Sequence, residues 1–206
     1  MIQIPTHYSS GQQLSDSLPV YLFENFLSPQ LAQMIIETAS SKMERATVSS
    51  STGGVTSKGR TGQNCWLPHD HNQELLALAQ RISDLVEIDL VQAESFQVIH
   101  YDKSQQYAAH YDGWDADSER GIRCMQRGGQ RLVTCLIYLN TVPQGGGTGF
   151  PKLSLEVPAR AGNMVVFHNC ETGTTQRHLD SLHGGLPVIE GEKWAVNLWF
   201  REKAYR

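Results

Sequence analysis

Three side chains in the 206-residue chain have the types and spacing to hold a metal: His110 and Asp112 in the triplet His110-Tyr111-Asp112, and His183 in Asp180-Ser-Leu-His-Gly-Gly-Leu-Pro-Val188. On a strand, residues i and i+2 point to one face, so one short segment can present an imidazole and a carboxylate together. The second imidazole must then come from a neighbouring strand. Two imidazoles and one carboxylate on one face of an octahedral ion leave three positions open, an arrangement suited to Fe(II) chemistry with a cosubstrate and dioxygen. The triplet alone does not select the site, because His100-Tyr101-Asp102 repeats it. At least one copy is structural or incidental. His69-Asp70-His71 reads as an exposed turn ahead of a helix, and His168 and His178 stand near the distal histidine without its Ser-Leu-His-Gly-Gly setting.

Such ligands need strands to carry them. After Asp89 the chain breaks into short runs of β-branched and aromatic residues between Gly/Pro turns: Glu94 to Tyr101, Arg131 to Asn140, Leu153 to Val157, Asn163 to His168, Pro187 to Ile189 and Lys193 to Arg201. Short strands at this interval predict a sandwich or barrel, not alternating βαβ units. Two helices precede them. Ser28-Pro29 opens the first, with Leu31, Met34, Ile35 and Thr38 at helical spacing; the second, about Asn72 to Glu87, puts Leu75, Leu78, Ala79, Ile82, Leu85 and Val86 on one face. Ala46 to Gly62 is rich in Ser, Thr and Gly and reads as a mobile loop. Asp112 to Gly129, polar and Gly-rich, reads as a long loop of the kind that is often functional. Both are candidate lids, and Trp114 and Arg123 in the second could offer a peptide an aromatic surface or a cation.

Composition narrows the partners. Seventeen Lys and Arg against twenty-one Asp and Glu leave a net charge of −4, and no basic run suggests a nucleic-acid surface or a polybasic membrane patch. Hydrophobic residues at 40% and charged residues at 18% fit a packed globular chain, with a small or peptidic partner as the expectation. No stretch is long and apolar enough for a membrane span, and the start lacks the regions of a secretory signal, so a cytoplasmic location is expected. Cys65, Cys124, Cys135 and Cys170 are scattered with no C-x-x-C pair and are read as free thiols. The length suits one domain over 1–206.

Five motifs in order decide between the triplets. They are Arg60-Thr-Gly-Gln-Asn-Cys-Trp-Leu67; Tyr101 ahead of Gln106-Tyr107-Ala-Ala-His110-Tyr-Asp112; Gly128-Gly-Gln-Arg-Leu-Val-Thr134 running into Tyr138-Leu139; Gly145-Gly-Gly-Thr-Gly-Phe-Pro151; and Ser181-Leu-His-Gly-Gly-Leu-Pro-Val188 followed by Gly191-Glu-Lys-Trp194 and Trp199. With them the chain, from about Arg60 to Arg201, resembles the prolyl 4-hydroxylase family of Fe(II)/2-oxoglutarate dioxygenases. The resemblance implies a mainly β fold with N-terminal helices (α+β): helical support over about 20–90 and a double-stranded β-helix, the cupin-like jelly roll, over about 91–202. It makes His110, Asp112 and His183 the iron ligands and leaves His100 and Asp102 out. Lys193, ten positions after His183, then pairs with the far carboxylate of 2-oxoglutarate, where an unpaired charge in a narrow interior would be costly. Thr134 and Tyr101 match the hydroxyl donors aimed at the same carboxylate. The implied cofactors are Fe(II), 2-oxoglutarate, dioxygen and ascorbate as reductant; the implied substrate is a proline-containing peptide or protein, with no nucleic acid and no membrane. Gly145-Gly-Gly-Thr148 stands where many members have Gly-Gly-Glu-Thr, a change that touches no ligand. In size the chain looks like the small, stand-alone bacterial or algal-type members.

Two other readings stay open at this level. One is hydroxylation of a free amino acid or another small molecule, and the other is a non-catalytic cupin-like binding module. A module has no need of the full triad plus Lys193, and succinate formation dependent on Fe(II) and 2-oxoglutarate separates the classes.

Overall fold

The structure, a computed structural model, describes residues 4–49, 54–55 and 57–205. Both predicted helices form, each from a polar cap and an apolar stripe. The Ser28 hydroxyl accepts a hydrogen bond from the Leu31 amide and Pro29 takes the first turn of α1 (Pro29–Ser40), which buries Ala32, Ile35 and Ala39. Asn72 caps α2 (Gln73–Val86) through the Leu75 amide, and Leu75, Leu78, Ala79, Ile82 and Val86 face inward. Burying a side chain such as Leu78 is worth about 1.5–3 kcal/mol, so this stripe rather than intrinsic propensity holds the helix. A third helix, α3 (Glu119–Met125), lies where the sequence reads as loop. Its Ser118 cap on the Gly121 amide starts it, and Gly128 and Gly129, at φ +76° and +70°, turn the chain back within two residues.

The strands in chain order are β1 (Gln12–Ser15), β2 (Val20–Phe23), β3 (Glu44–Arg45), β4 (Val48–Ser49), β5 (Gly54–Val55) and β6 (Gln63–Leu67). Then come β7 (Phe96–Tyr101), β8 (Tyr107–His110), β9 (Arg131–Tyr138), β10 (Gln144–Gly145) and β11 (Thr148–Phe150). The last are β12 (Leu155–Val157), β13 (Met164–His168), β14 (His183–Gly185), β15 (Val188–Glu190) and β16 (Lys193–Arg201). An antiparallel sheet in the order β1-β2-β13-β9-β16-β7-β6-β3 faces a smaller one in the order β12-β11-β14-β8. This is the jelly roll the resemblance implies. The helical support is not purely helical, because β2, β3 and β6 from the N-terminal third extend the large sheet. These strands are too short to announce themselves by alternation, and pairing with β13 and β7 stabilises them.

Alternation along the large sheet separates two cores. Trp194, Val196, Leu198 and Phe200 of β16 join the cluster under α1 and α2, whereas Ala195 joins the cluster between the sheets with Ile99, Leu136, Tyr138, Val165 and Phe167. The same parity sends Lys193, Asn197 and Trp199 into the cavity between the sheets.

Two loop expectations change in detail. Within Ala46 to Gly62, β4 and β5 pair as a hairpin, Ala46 and Arg60 are buried, and residues 50–53 and 56 lie outside the described residues. Within Asp112 to Gly129, Trp114 is anchored by Gln130, which accepts from its amide at 2.9 Å and donates to its carbonyl at 2.8 Å.

Candidate metal centre and its cavity

Strands β8 and β14 pair with His183 opposite His110, so two imidazoles 73 positions apart in sequence meet across one ladder. Asp112 is not on the strand with His110: β8 ends at His110 and the carboxylate arrives from the bend beyond it. His110 Nδ1 is 3.0 Å from the Ala108 carbonyl and His183 Nδ1 is 2.8 Å from the Ser181 carbonyl. A carbonyl only accepts, so Nδ1 carries the proton in both rings and each Nε2 keeps its lone pair for a metal. The loop that supplies the Ser181 carbonyl is itself held by His178, whose Nδ1 accepts from the Asp180 amide and whose carbonyl accepts from the Ser181 hydroxyl.

Both Nε2 atoms stand 3.5 Å from Asp112, His110 at Oδ1 and His183 at Oδ2, and the three ligand atoms lie within 4.8 Å of one another. Asp112 Oδ2 also accepts 2.8 Å hydrogen bonds from the Thr134 hydroxyl and the Trp199 indole, and Asn169 Nδ2 donates to that hydroxyl at 2.8 Å. Burial opposes ionisation of Asp112, but the neighbouring His183 and His110, through charge and hydrogen bonding, win and hold its carboxyl well below the usual range. Burial, with His183 beside it, lowers His110, which favours the neutral imidazole a metal requires. Two neutral imidazole donors and one carboxylate, preoriented and converging, fit an Fe(II) centre with open positions.

Strand parity separates the two triplets, and the His100 copy forms its own cluster with Asp102 and Glu192 away from the cavity. His100 lies on the outer face of β7, stacked on Trp194 at 4.3 Å, with Nε2 2.7 Å from Glu192 and 3.7 Å from Asp102. Ile99 and Tyr101, one residue to either side, belong to the core between the sheets. His69 hydrogen-bonds the Glu94 carbonyl and His168 the buried Tyr8 hydroxyl, so neither reaches the centre.

A cavity of about 290 Å³ opens on the triad. Lys193 and Tyr101 are directly paired across β16 and β7 and both line it. Lys193 is 2% exposed, its Nζ has the Gly147 carbonyl at 3.4 Å and lies 5.3 Å from the Tyr138 ring centre, and burial pushes its pKa down to about 7. Burial raises the Tyr101 phenol against the opposing pull of Arg60. Thr134 differs from expectation, since its proton is committed to Asp112 and it is not a free donor for a second carboxylate. Arg131 and Arg201, the other basic residues on these strands, are both bound to Glu94, at 2.6 Å and 2.9 Å.

A profile of the 2OG-Fe(II) oxygenase superfamily matches residues 96–201, the span that holds the whole triad. A candidate prolyl 4-hydroxylase of Acanthamoeba polyphaga mimivirus is 32% identical over 185 residues, covering 90% of this chain and 75% of that one. This chain belongs to the superfamily, within its prolyl 4-hydroxylase family. The oxygenase is also 31% identical to prolyl 4-hydroxylase 5 of Arabidopsis thaliana, over 90% of this chain and 69% of the other. A crystal structure of the viral collagen prolyl hydroxylase from Paramecium Bursaria Chlorella virus-1, in complex with 2OG, superposes with a TM-score of 0.69 at 27% identity, covering 88% of this chain and 95% of that one. The protein is therefore an Fe(II)- and 2-oxoglutarate-dependent dioxygenase.

Trp199 and Asn169, which orient Asp112, carry no role in the sequence reading. Trp199 had a usable signal: it is six positions from Lys193 on a strand and so shares its face. Asn169 lies just past β13 and had none.

Proposed function

We infer that the oxygenase hydroxylates a proline within a peptide, with His110, Asp112 and His183 as iron ligands and Lys193 and Tyr101 receiving the far carboxylate of 2-oxoglutarate. The observation that carries this reading is Lys193, a buried ammonium in the triad's own cavity whose hydrogen-bond acceptor among the described residues is a carbonyl at 3.4 Å. Such a group is stable when an anion joins it. Iron and cosubstrate supply the oxidation, in which dioxygen is consumed, 2-oxoglutarate becomes succinate and CO2, and a C–H bond is hydroxylated. The chain's part is to fix the imidazole tautomers through Ala108 and Ser181, to keep Asp112 ionised through Thr134 and Trp199, and to hold the substrate at the cavity mouth.

A peptide is favoured over a free amino acid by the shape beyond the triad. The cavity shares Tyr107, His110, Tyr111, Trp114 and Arg120 with an adjoining open cleft of about 400 Å³, a path for an extended chain. The relatives' names, which specify prolyl hydroxylation, support the same substrate. Ascorbate as reductant rests on the resemblance alone. A cytoplasmic setting is supported by four cysteines that are all free thiols.

The test is succinate release with Fe(II), 2-oxoglutarate and ascorbate. Proline-rich peptides are expected to stimulate it well above the uncoupled background and to gain one oxygen at proline, whereas free L-proline is not. His110→Ala and Asp112→Ala should each abolish turnover, and His100→Ala should leave iron binding near that of the unaltered protein. Stimulation by free proline alone would replace the peptide reading with the small-molecule one, and metal loss in the His100 variant only would move the centre.

A further inference from the structure

We propose that Asn169 is a positioning residue for the metal centre: through the Thr134 hydroxyl it ties up Oδ2 of Asp112 and reserves Oδ1 for the ion, so that the positions 2-oxoglutarate needs stay open. This rests on the reading of His110, Asp112 and His183 as iron ligands and says how the carboxylate among them is held. The starting observation is a buried amide used at one end only. Asn169 is fully buried, its Nδ2 donates to the Thr134 hydroxyl at 2.8 Å, and its Oδ1 has no hydrogen-bond partner among the described residues. An empty buried acceptor costs stability, so what the fold gains from this side chain is its donor.

Proton counting sets the direction of the relay. An amide N–H only donates and an ionised carboxylate only accepts, so the single hydroxyl proton of Thr134, placed between them, points at Asp112. It reaches Oδ2 at 2.8 Å, and the Trp199 indole reaches the same oxygen at 2.8 Å. Turning the amide over would put Oδ1 of Asn169 on the hydroxyl and draw its proton away. Thr134 Oγ1 and Asp112 Oδ2 would then stand 2.8 Å apart with no hydrogen between them. Distance alone does not choose the metal-binding oxygen, since His110 Nε2 is 3.5 Å from Oδ1 and His183 Nε2 is 3.5 Å from Oδ2. The hydrogen bonds choose it, because two donors engage both in-plane lone pairs of Oδ2. A carboxylate bound through one oxygen leaves three positions of an octahedral ion beside two imidazoles, whereas one bound through both oxygens leaves two. A 2-oxo acid that chelates through its carboxylate and keto oxygens would then fill the centre.

Asn169 also stands under both arms of the site. It lies just past β13, two residues beyond Phe167, and its amide donates to the Leu132 carbonyl at 2.8 Å, which fixes it against β9. Gly113, the residue after Asp112, rests on it: a Cβ there would come 3.2 Å from the Asn169 carbonyl oxygen and 3.3 Å from its Cβ. The Asn169 carbonyl accepts from the His178 amide at 2.9 Å, and His178 holds the loop whose Ser181 carbonyl sets the His183 tautomer. The main chain of Asn169 thus serves His183 and its side chain serves Asp112. Changing the side chain alone addresses the carboxylate.

The experiment is anaerobic and needs no turnover. Metal-free protein is titrated with Fe(II), the bound iron being counted after gel filtration, and then with 2-oxoglutarate, whose chelation of Fe(II) gives a visible charge-transfer band. Thr134→Val is expected to keep iron affinity nearly unchanged while raising the 2-oxoglutarate needed for half the band about tenfold or more. Thr134→Ser, which keeps the donor, should bring the band back. Asn169→Leu should act in the same direction but more weakly, because the hydroxyl remains and loses only its fixed direction. The double variant Thr134→Val/Asn169→Leu should be no worse than Thr134→Val alone, as expected of a residue that works through its neighbour. Asn169→Ala takes the place of Asn169→Leu if that variant does not fold. Pyruvate, which offers the same chelating atoms without the far carboxylate, should be weakened in Thr134→Val by the same factor as 2-oxoglutarate. Weakening of 2-oxoglutarate alone would mean that Thr134 serves the far carboxylate, and would overturn the proposal. So would joint loss of iron and cosubstrate in Thr134→Val, an unchanged band, or additive effects in the double variant. Asp112→Ala separates this inference from the reading beneath it. Iron held there as tightly as in the unaltered protein would sink the ligand assignment itself, whereas iron lost there beside an unchanged Thr134→Val titration would sink the relay alone.

Discussion

Lys193 shows how one residue's burial becomes a functional demand. Its ammonium is 2% exposed, and burial lowers its pKa to about 7, so near neutrality the free protein holds the lysine only partly protonated. A carboxylate placed against it favours the charged form and raises that value. Above about pH 7 cosubstrate binding must therefore take up a proton, and affinity for 2-oxoglutarate should fall as pH rises from there. Titration calorimetry in buffers of different ionisation enthalpy should register uptake of about one proton at pH 8, and no proton exchange would place the carboxylate elsewhere. Lys193→Ala should raise the 2-oxoglutarate requirement steeply, by the equivalent of about 2–5 kcal/mol, while iron stays bound. Arg131 and Arg201 are poor substitutes, since both are held by Glu94.

At the scale of elements, the centre depends on how closely β8 and β14 approach, because each carries one histidine. Gly184 sits between His183 and Gly185 on β14, and a Cβ there would come 2.8 Å from the Tyr107 carbonyl oxygen and 3.0 Å from the Ala109 amide nitrogen, both backbone atoms of β8. Backbone cannot swing aside as a side chain tip can, so Gly184→Ala should push the strands apart at the ladder that aligns the imidazoles. The expected result is iron affinity weakened tenfold or more with the far-ultraviolet circular dichroism unchanged. Full affinity would mean that β8 can shift without displacing His110. The helix α3 plays a matching part on the other side, where Arg201 donates to the carbonyls of Cys124 and Arg127 and ties its end to β16.

Across the whole molecule one buried carboxylate joins these parts. Glu94 receives Arg131 at 2.6 Å and 2.8 Å and Arg201 at 2.9 Å, and these cations stack on Trp199 at 3.8 Å and on Trp114 at 4.4 Å, respectively. Burial alone would raise the Glu94 carboxyl, but the two guanidinium groups outweigh it and lower its pKa. The native protein then holds that proton less tightly than the unfolded chain. The stabilisation is full above the unfolded value of about 4.3 and is lost as pH falls towards the native one. Glu94→Gln should destabilise the fold by about 3–5 kcal/mol at neutral pH, because two buried cations lose their counter-charge, and should flatten the acid limb of the stability curve. Denaturant titrations of both proteins at pH 7 and pH 4 read this directly, and equal stability at pH 7 would show that water or rearrangement replaces the carboxylate.

Local signals in the sequence were sufficient for several features. Ser28-Pro29, Asn72 and the stripes behind them mark α1 and α2 because caps and helical periodicity involve residues only three or four apart. The strand Lys193–Arg201 is bounded as read because its run of aromatic and aliphatic residues is uninterrupted by Gly or Pro. The motif set identified the triad and Lys193, which the fold brings to one cavity. Other features exist only in the folded chain. That His100 faces away from the cavity depends on which side of the large sheet the helices cover, and that His110 meets His183 depends on the pairing of β8 with β14 in the smaller sheet, matters of long-range packing that no triplet encodes. Short strands such as β2, β3 and β6 are strands because of their partners, and α3 is a helix held at its end by Arg201 of a distant strand. The Thr134 hydroxyl turns to Asp112 because a bend after β8 delivers the carboxylate there. Residue types and spacing thus determined the chemistry this protein can perform, while pairing and strand parity decided which copies of those residues meet at the cavity.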